Sequence, residues 1–155
     1  MFFHHASIPL FTKFNKLLQS DKPAIHIVHD SVTKLAKTLA NRIIKADTVK
    51  EMAVDEIPLD DSQIYIPIQS IHLGGTTKFA LQKLLNQRDV SQSDYDSVLK
   101  AAQAYFKAAL NYVLEKFPIT NDTLIHAKWI DVGKRADAKW ESVKHLFTSS
   151  HHYKR

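Results

Sequence analysis

The stretch Pro9-Leu-Phe-Thr-Lys-Phe-Asn-Lys-Leu-Leu-Gln-Ser-Asp-Lys-Pro-Ala-Ile-His-Ile-Val-His-Asp30 holds two apolar-periodic segments hinged at Ser20-Asp21-Lys22-Pro23. A first helix is predicted from about Phe3 to Gln19, with Phe3, Leu10, Phe11, Phe14, Leu17 and Leu18 on one side. Pro9 marks a kink or a start, because proline lacks an amide hydrogen and its ring crowds the preceding turn. Asp21 as N-cap and Pro23 in the first turn then open a second helix that reaches about Ile44. In a sector of about 100° it carries Ile25, Val28, Val32, Leu35, Ala36, Leu39 and Ile43, with Asp30, Lys34, Lys37, Asn41 and Lys45 opposite. Two such helices in succession indicate a mainly α fold.

Working outward, the helical period is lost from Asp47 to Gly75, where Asp55, Glu56, Asp60 and Asp61 surround Pro58 and Pro67. Ile64-Tyr-Ile-Pro-Ile68 suits extended chain, but Pro67 cannot donate to a sheet ladder. The expectation is a long ordered connector, about residues 47–75, with at most one short strand. Gly74-Gly75 breaks the chain, and Thr76 or Thr77 is expected to cap a helix to about Asn86 that presents Phe79, Leu81, Leu84 and Leu85. Ser91-Gln-Ser-Asp94 is a stronger start, a variant of the capping box. The helix it opens, to about Phe117, is apolar over about 160° of its circumference from Tyr95 through Val98, Leu99, Tyr105 and Phe106 to Tyr112 and Val113. So broad a stripe predicts the central helix, ended by Pro118. Asn121 or Asp122 caps a shorter helix holding Leu124, Ile125, Trp129 and Ile130, broken near Gly133. A last helix from about Ala136 presents Trp140, Val143, Leu146 and Phe147 before a polar tail from Thr148. The sum is a bundle of about five to six helices in one domain, 1–148, with residues 149–155 as tail.

At 155 residues the chain can bury a continuous core without cross-links. It has no cysteine, which excludes a disulfide framework, a thiolate metal site and a cysteine nucleophile, and fits a reducing compartment. No apolar run approaches the ~20 residues needed to span a bilayer, and the N-terminus lacks the basic region and cleavage site of a leader. An intracellular chain without membrane contact is expected. The net charge of +5 is uneven: residues 1–50 carry +5, residues 51–100 carry −4 and residues 101–155 carry +4. Basic flanks around an acidic middle suit an anionic partner or ordinary surface patterning.

Motifs for chemistry are sparse. His26 and His29, three apart on a helix, could approach one metal ion, but no third ligand completes a site, and a histidine at the edge of the core bonding a carbonyl is the simpler reading of His29. Gly74-Gly-Thr-Thr-Lys78 lacks the spacing of a nucleotide-binding phosphate loop. Asp60-Asp61, in a polar loop, read as solvated charges. No catalytic residue, cofactor or metal is therefore expected. Lys34, Lys37 and Lys45 form a basic ridge able to meet phosphates, with Trp129 or Trp140 as a stacking surface, although both tryptophans continue apolar patterns and are expected in the core.

Taken together, Leu10-Phe-Thr-Lys-Phe-Asn-Lys-Leu-Leu-Gln19, Asp21-Lys-Pro-Ala-Ile-His26, Leu81-Gln-Lys-Leu-Leu85, Ala104-Tyr-Phe-Lys-Ala-Ala-Leu-Asn-Tyr112 with Phe117-Pro118, His126-Ala-Lys-Trp-Ile-Asp131 and Arg135 resemble hAT-superfamily transposase-derived proteins. The resemblance implies a helical segment inserted in or adjoining a ribonuclease-H-like core, whose three metal-holding acidic residues match nothing here. It implies a fragment, from a partial gene model or a domesticated element, with Met1 at an internal family position. It further implies a non-catalytic nuclear protein making weak DNA or protein contacts. The residues alone leave open a stand-alone helical interaction module unrelated to transposition, and behind that a small enzyme with an unrecognised site.

Overall fold

A computed structural model describes residues 2–19, 24–117, 119–127 and 139–151. They form seven α-helices: α1 (Phe2–Leu18), α2 (Ile25–Ala40), α3 (Ala46–Glu51), α4 (Gly75–Asn86), α5 (Gln92–Lys116), α6 (Asp122–His126) and α7 (Trp140–His151). Two single-turn 3-10 helices, Ser62–Ile64 and Ile68–Ser70, lie in the connector, and the described residues contain no strand. The mainly α expectation holds. Pro118, Trp129, Ile130, Gly133, Arg135, Ala136 and the hinge at Ser20 to Pro23 lie outside the described residues.

The core is built on α2 and α5, which pack together more extensively than any other pair. Val32, Leu35, Ala36, Leu39 and Ala40 of α2 meet Tyr95, Leu99, Ala102, Phe106, Leu110 and Val113 of α5, all buried. The buried α5 positions recur every three or four residues and span about 80° of the helix, half the arc read from the sequence. On one shoulder of that arc, Val98, Tyr105 and Tyr112 are exposed. α5 is central through a narrow, fully used seam. Its capping box is formed as expected: Ser91 Oγ accepts from the Asp94 amide at 3.1 Å, and Asp94 Oδ2 accepts from the Ser91 amide at 3.1 Å. The Ser91 hydroxyl bond, then the backbone bond, pulls the Asp94 carboxyl below the usual carboxylate range.

α1 covers α2 and α4, with Phe14 buried and in edge contact with Phe117 at 5.1 Å between ring centroids. Pro9 sits inside α1, and Leu18, at its end, is exposed rather than in the core. α2 starts at Ile25 with Ala24 at the cap, and Ile25 projects into solvent as the first residue of the helix. The helix stops at Ala40 rather than Ile44. Arg42 and Ile43 amides bond three residues back, to Leu39 and Ala40, and the next residues are diverted into an antiparallel bridge, Ile44 opposite Tyr65. Lys45 N to Ile64 O and Ile66 N to Ile43 O complete it. This single bridge is what the expected short strand amounts to. Pro67 leads into the 3-10 turn at Ile68 instead of extending the ladder.

The connector is ordered by anchors: Val54, Ile57, Leu59, Ile64, Ile71 and Leu73 are all buried. It also contains α3, which the sequence reading missed because six residues with one buried position, Val49, carry no period. At its far end Gly74 turns the chain at φ 90°, and α4 begins at Gly75 with no side-chain cap. The threonine cap is therefore corrected: Thr77 lies within the first turn, its hydroxyl buried without a hydrogen-bond partner. In α4, Leu81 and Leu85 pack on the core while Phe79 is 72% exposed. α6 bridges α2 and α7. Asn121 Oδ1 caps it by accepting from the Leu124 amide at 3.2 Å. α7 continues through Thr148 to His151, so the polar residues after Phe147 extend a helix instead of ending it. Trp140, its first residue, is 72% exposed and not a core residue.

Candidate nucleic-acid interface

Termination of α2 at Ala40 decides where the predicted lysines go. Lys34 and Lys37 remain exposed on α2, but Lys45 leaves the helical register and becomes the residue before α3. The ridge splits. Lys34 lines a groove between α1 and α2 with Lys13 and Lys16, whereas Lys45 joins Lys100 and Lys107 of α5 around a cleft of about 810 Å³. Lys37 lines neither, and its carbonyl accepts from the Asn41 side chain at 2.8 Å.

The Lys100 cleft is walled by the connector. Tyr65 is fixed there by its hydroxyl, which donates to the Leu59 carbonyl at 2.6 Å, so its ring stands as part of the wall. Lys107 Nζ lies 5.9 Å from that ring's centroid and donates to Asp60 Oδ1 at 3.2 Å. The bond to the Asp60 carboxylate raises the Lys107 ammonium above the usual lysine range, against a smaller opposing effect of burial. Asp61 accepts from the Gln63 amide at 2.8 Å and caps the first 3-10 turn. Asp60 is thus an exposed partner of Lys107, and Asp61 serves its own turn. Among the described residues no group of three or more His, Cys, Asp or Glu lies close enough to hold a metal ion.

A second cleft, of about 680 Å³, adjoins the first and shares Ile66 with it. Arg42 lines it. The guanidinium donates to the His72 carbonyl at 2.8 Å and lies 5.9 Å from the Phe106 ring centroid, so the charge is held in place between connector and core. Opposite, Gly74 and Gly75 open α4 into the cleft, followed by Lys78. The start of α4 has no side-chain cap and no acidic residue in its first turn, which leaves amide hydrogens and the positive end of the helix dipole facing this space. The phosphate-loop comparison fails on spacing, yet these residues do sit at an uncapped helix start between two cations.

His29, the other residue singled out, accounts for itself locally. Its Nε2 lies 3.0 Å from the Ile119 carbonyl and its Nδ1 3.4 Å from Asp30, which ties the segment before α6 to α2. His26 presents a buried Nδ1 with no hydrogen-bond partner.

No family model, curated protein or solved structure matches this chain. The site therefore rests on its own geometry. Five lysines and arginines, Arg42, Lys45, Lys78, Lys100 and Lys107, line two adjoining clefts that contain one carboxylate, Asp60. They come from the α2–α3 link, α4 and α5, and no linear motif joins them. Sequence reasoning found Lys45 but missed the other four. Lys100 and Lys107, seven apart on the polar face of α5, were the legible signal.

Proposed function

We propose that the chain is a non-catalytic helical domain that holds DNA by its phosphate backbone, DNA being one of the two partners, DNA or protein, that its resemblance to hAT transposase-derived proteins implies. The observation that carries the reading is the segregation of charge: five cations and one carboxylate share two contiguous clefts, in a chain of 21 basic and 16 acidic residues overall. Lysine and arginine contacts of this kind neutralise phosphates without reading bases. The ring of Tyr65 adds an aromatic surface beside Lys107, as in sites that accept unpaired strands. The uncapped start of α4 adds amide donors suited to a phosphate oxygen.

Fluorescence anisotropy of a labelled 20-base-pair duplex at low salt tests this. The expected result is saturable, sequence-independent binding that weakens in Lys100→Gln/Lys107→Gln. The control Lys50→Gln/Lys116→Gln removes the same charge outside both clefts and should bind as the parent does. Equal losses in the two double variants would show that net charge alone attracts the DNA.

A second reading, a protein-interaction module, is favoured by Val98, Tyr105 and Tyr112, which repeat every seven residues along an exposed shoulder of α5. No DNA binding, together with self-association lost in Tyr112→Ser, would favour it over the first.

A further inference from the structure

The groove between α1 and α2 differs in kind from the two basic clefts. It encloses about 560 Å³, within the range of small-molecule sites. Leu10, Phe14 and Leu17 of α1 and Leu35 of α2 form its apolar lining. Phe14 and Leu35 belong to the buried core, so the groove reaches down to the α1–α2 interface. Three lysines edge this lining, Lys13 and Lys16 from one wall and Lys34 from the other. No carboxylate lines the groove, and none of the three ammonium groups has an ion-pair partner among the described residues. The first 20 residues contain no acidic residue at all.

We infer that this groove binds a single-chain anionic amphiphile, a long-chain carboxylate, with its hydrocarbon on Leu10, Phe14, Leu17 and Leu35 and its head group between Lys13 and Lys34. Charge complementarity selects the occupant. Lysines on both walls over an apolar lining match one molecule with an anionic end and an apolar body, whereas a nucleic-acid backbone would leave the lining unsatisfied. Hydrocarbon burial makes affinity rise with chain length, by about fourfold per methylene that reaches the lining. The groove uses none of the residues on which the DNA reading rests, so either can fail alone.

Isothermal titration of the full chain with decanoate and laurate, each below its micelle concentration, reads this directly. The expected result is one-to-one saturation, tighter for laurate by about 15-fold for its two extra methylenes. Lys13→Gln/Lys34→Gln, two exposed substitutions that leave the helical circular dichroism intact, should weaken laurate at least tenfold. Dodecanol binding as tightly as laurate, or laurate unaffected by the double substitution, would overturn the role given to the lysines. Attachment only to anionic phospholipid vesicles, without binding of free laurate, would overturn the groove as a site and leave surface charge as the cause. Saturation by an acidic amphipathic peptide in place of laurate would likewise overturn it.

Discussion

Leu110→Ala gives the most direct measure of how α5 is buried. Leu110 has no exposed surface, and it sits in the α5 seam against α2. Removing three carbons from such a site loses their transfer energy and leaves a cavity, at a cost of about 2–5 kcal/mol. A domain of this length has a total stability of about 5–15 kcal/mol, and each kcal/mol moves the melting temperature by about 2–4 °C. A value near 3 kcal/mol therefore predicts a melting temperature lower by roughly 6–12 °C. Two helical positions away, Tyr112 is 60% exposed, and Tyr112→Ala should cost under about 0.5 kcal/mol. Urea denaturation followed by circular dichroism at 222 nm gives both values, with the slope unchanged if unfolding stays two-state. Equal costs for the two variants, or a Leu110→Ala cost below about 1 kcal/mol, would refute the narrow-seam packing of α5.

Leu99→Asp, at a position 1% exposed, should abolish the cooperative thermal transition, because an unpaired charge in the core costs several kcal/mol; a normal melt would remove Leu99 from the core. Ser91→Ala should destabilise by about 1 kcal/mol through the lost N-cap. Asp94 has its folded pKa depressed, so its stabilising effect is present above the ordinary carboxylate value and is lost as pH falls through the folded one. Asp94→Asn should accordingly flatten the stability profile below about pH 4, and an acid limb identical to the parent's would contradict the capping box as its source. Incubation with magnesium or manganese and labelled DNA should give no nicking, and metal-dependent nicking lost in Asp60→Asn would expose an active site at the connector.

Periodicity carried most of the fold because α1, α2 and α5 each bury a stripe long enough to count. It failed where one side chain decides. Trp140 continues an apolar pattern yet opens its helix on the surface, and Phe79, one turn into α4, is equally exposed. The end of α2 was invisible because Ile43 and Ile44 stay buried after the helix stops, so burial preserves the period while the backbone turns toward Tyr65. That turn separates Lys45 from Lys34 and Lys37. The site was legible only as basic excess, since Arg42, Lys78 and Lys100 are brought together by tertiary packing across the connector. Local rules held at two caps, where Ser91-Asp94 and Asn121 form the bonds their spacing predicts, and failed at α4, where Gly74 precedes the helix without a side-chain cap. His29 likewise meets a carbonyl, though one 90 residues away.

The salt dependence of DNA binding tests the proposed role most directly. If the five cations of the two clefts each neutralise one phosphate, the slope of log binding constant against log salt on duplex DNA is about −4.5. The variant Lys45→Gln/Lys100→Gln/Lys107→Gln should then retain two of them and show a slope of about −1.8. A slope unchanged by the triple substitution would place the DNA elsewhere on the molecule and contradict the interface assigned to these clefts.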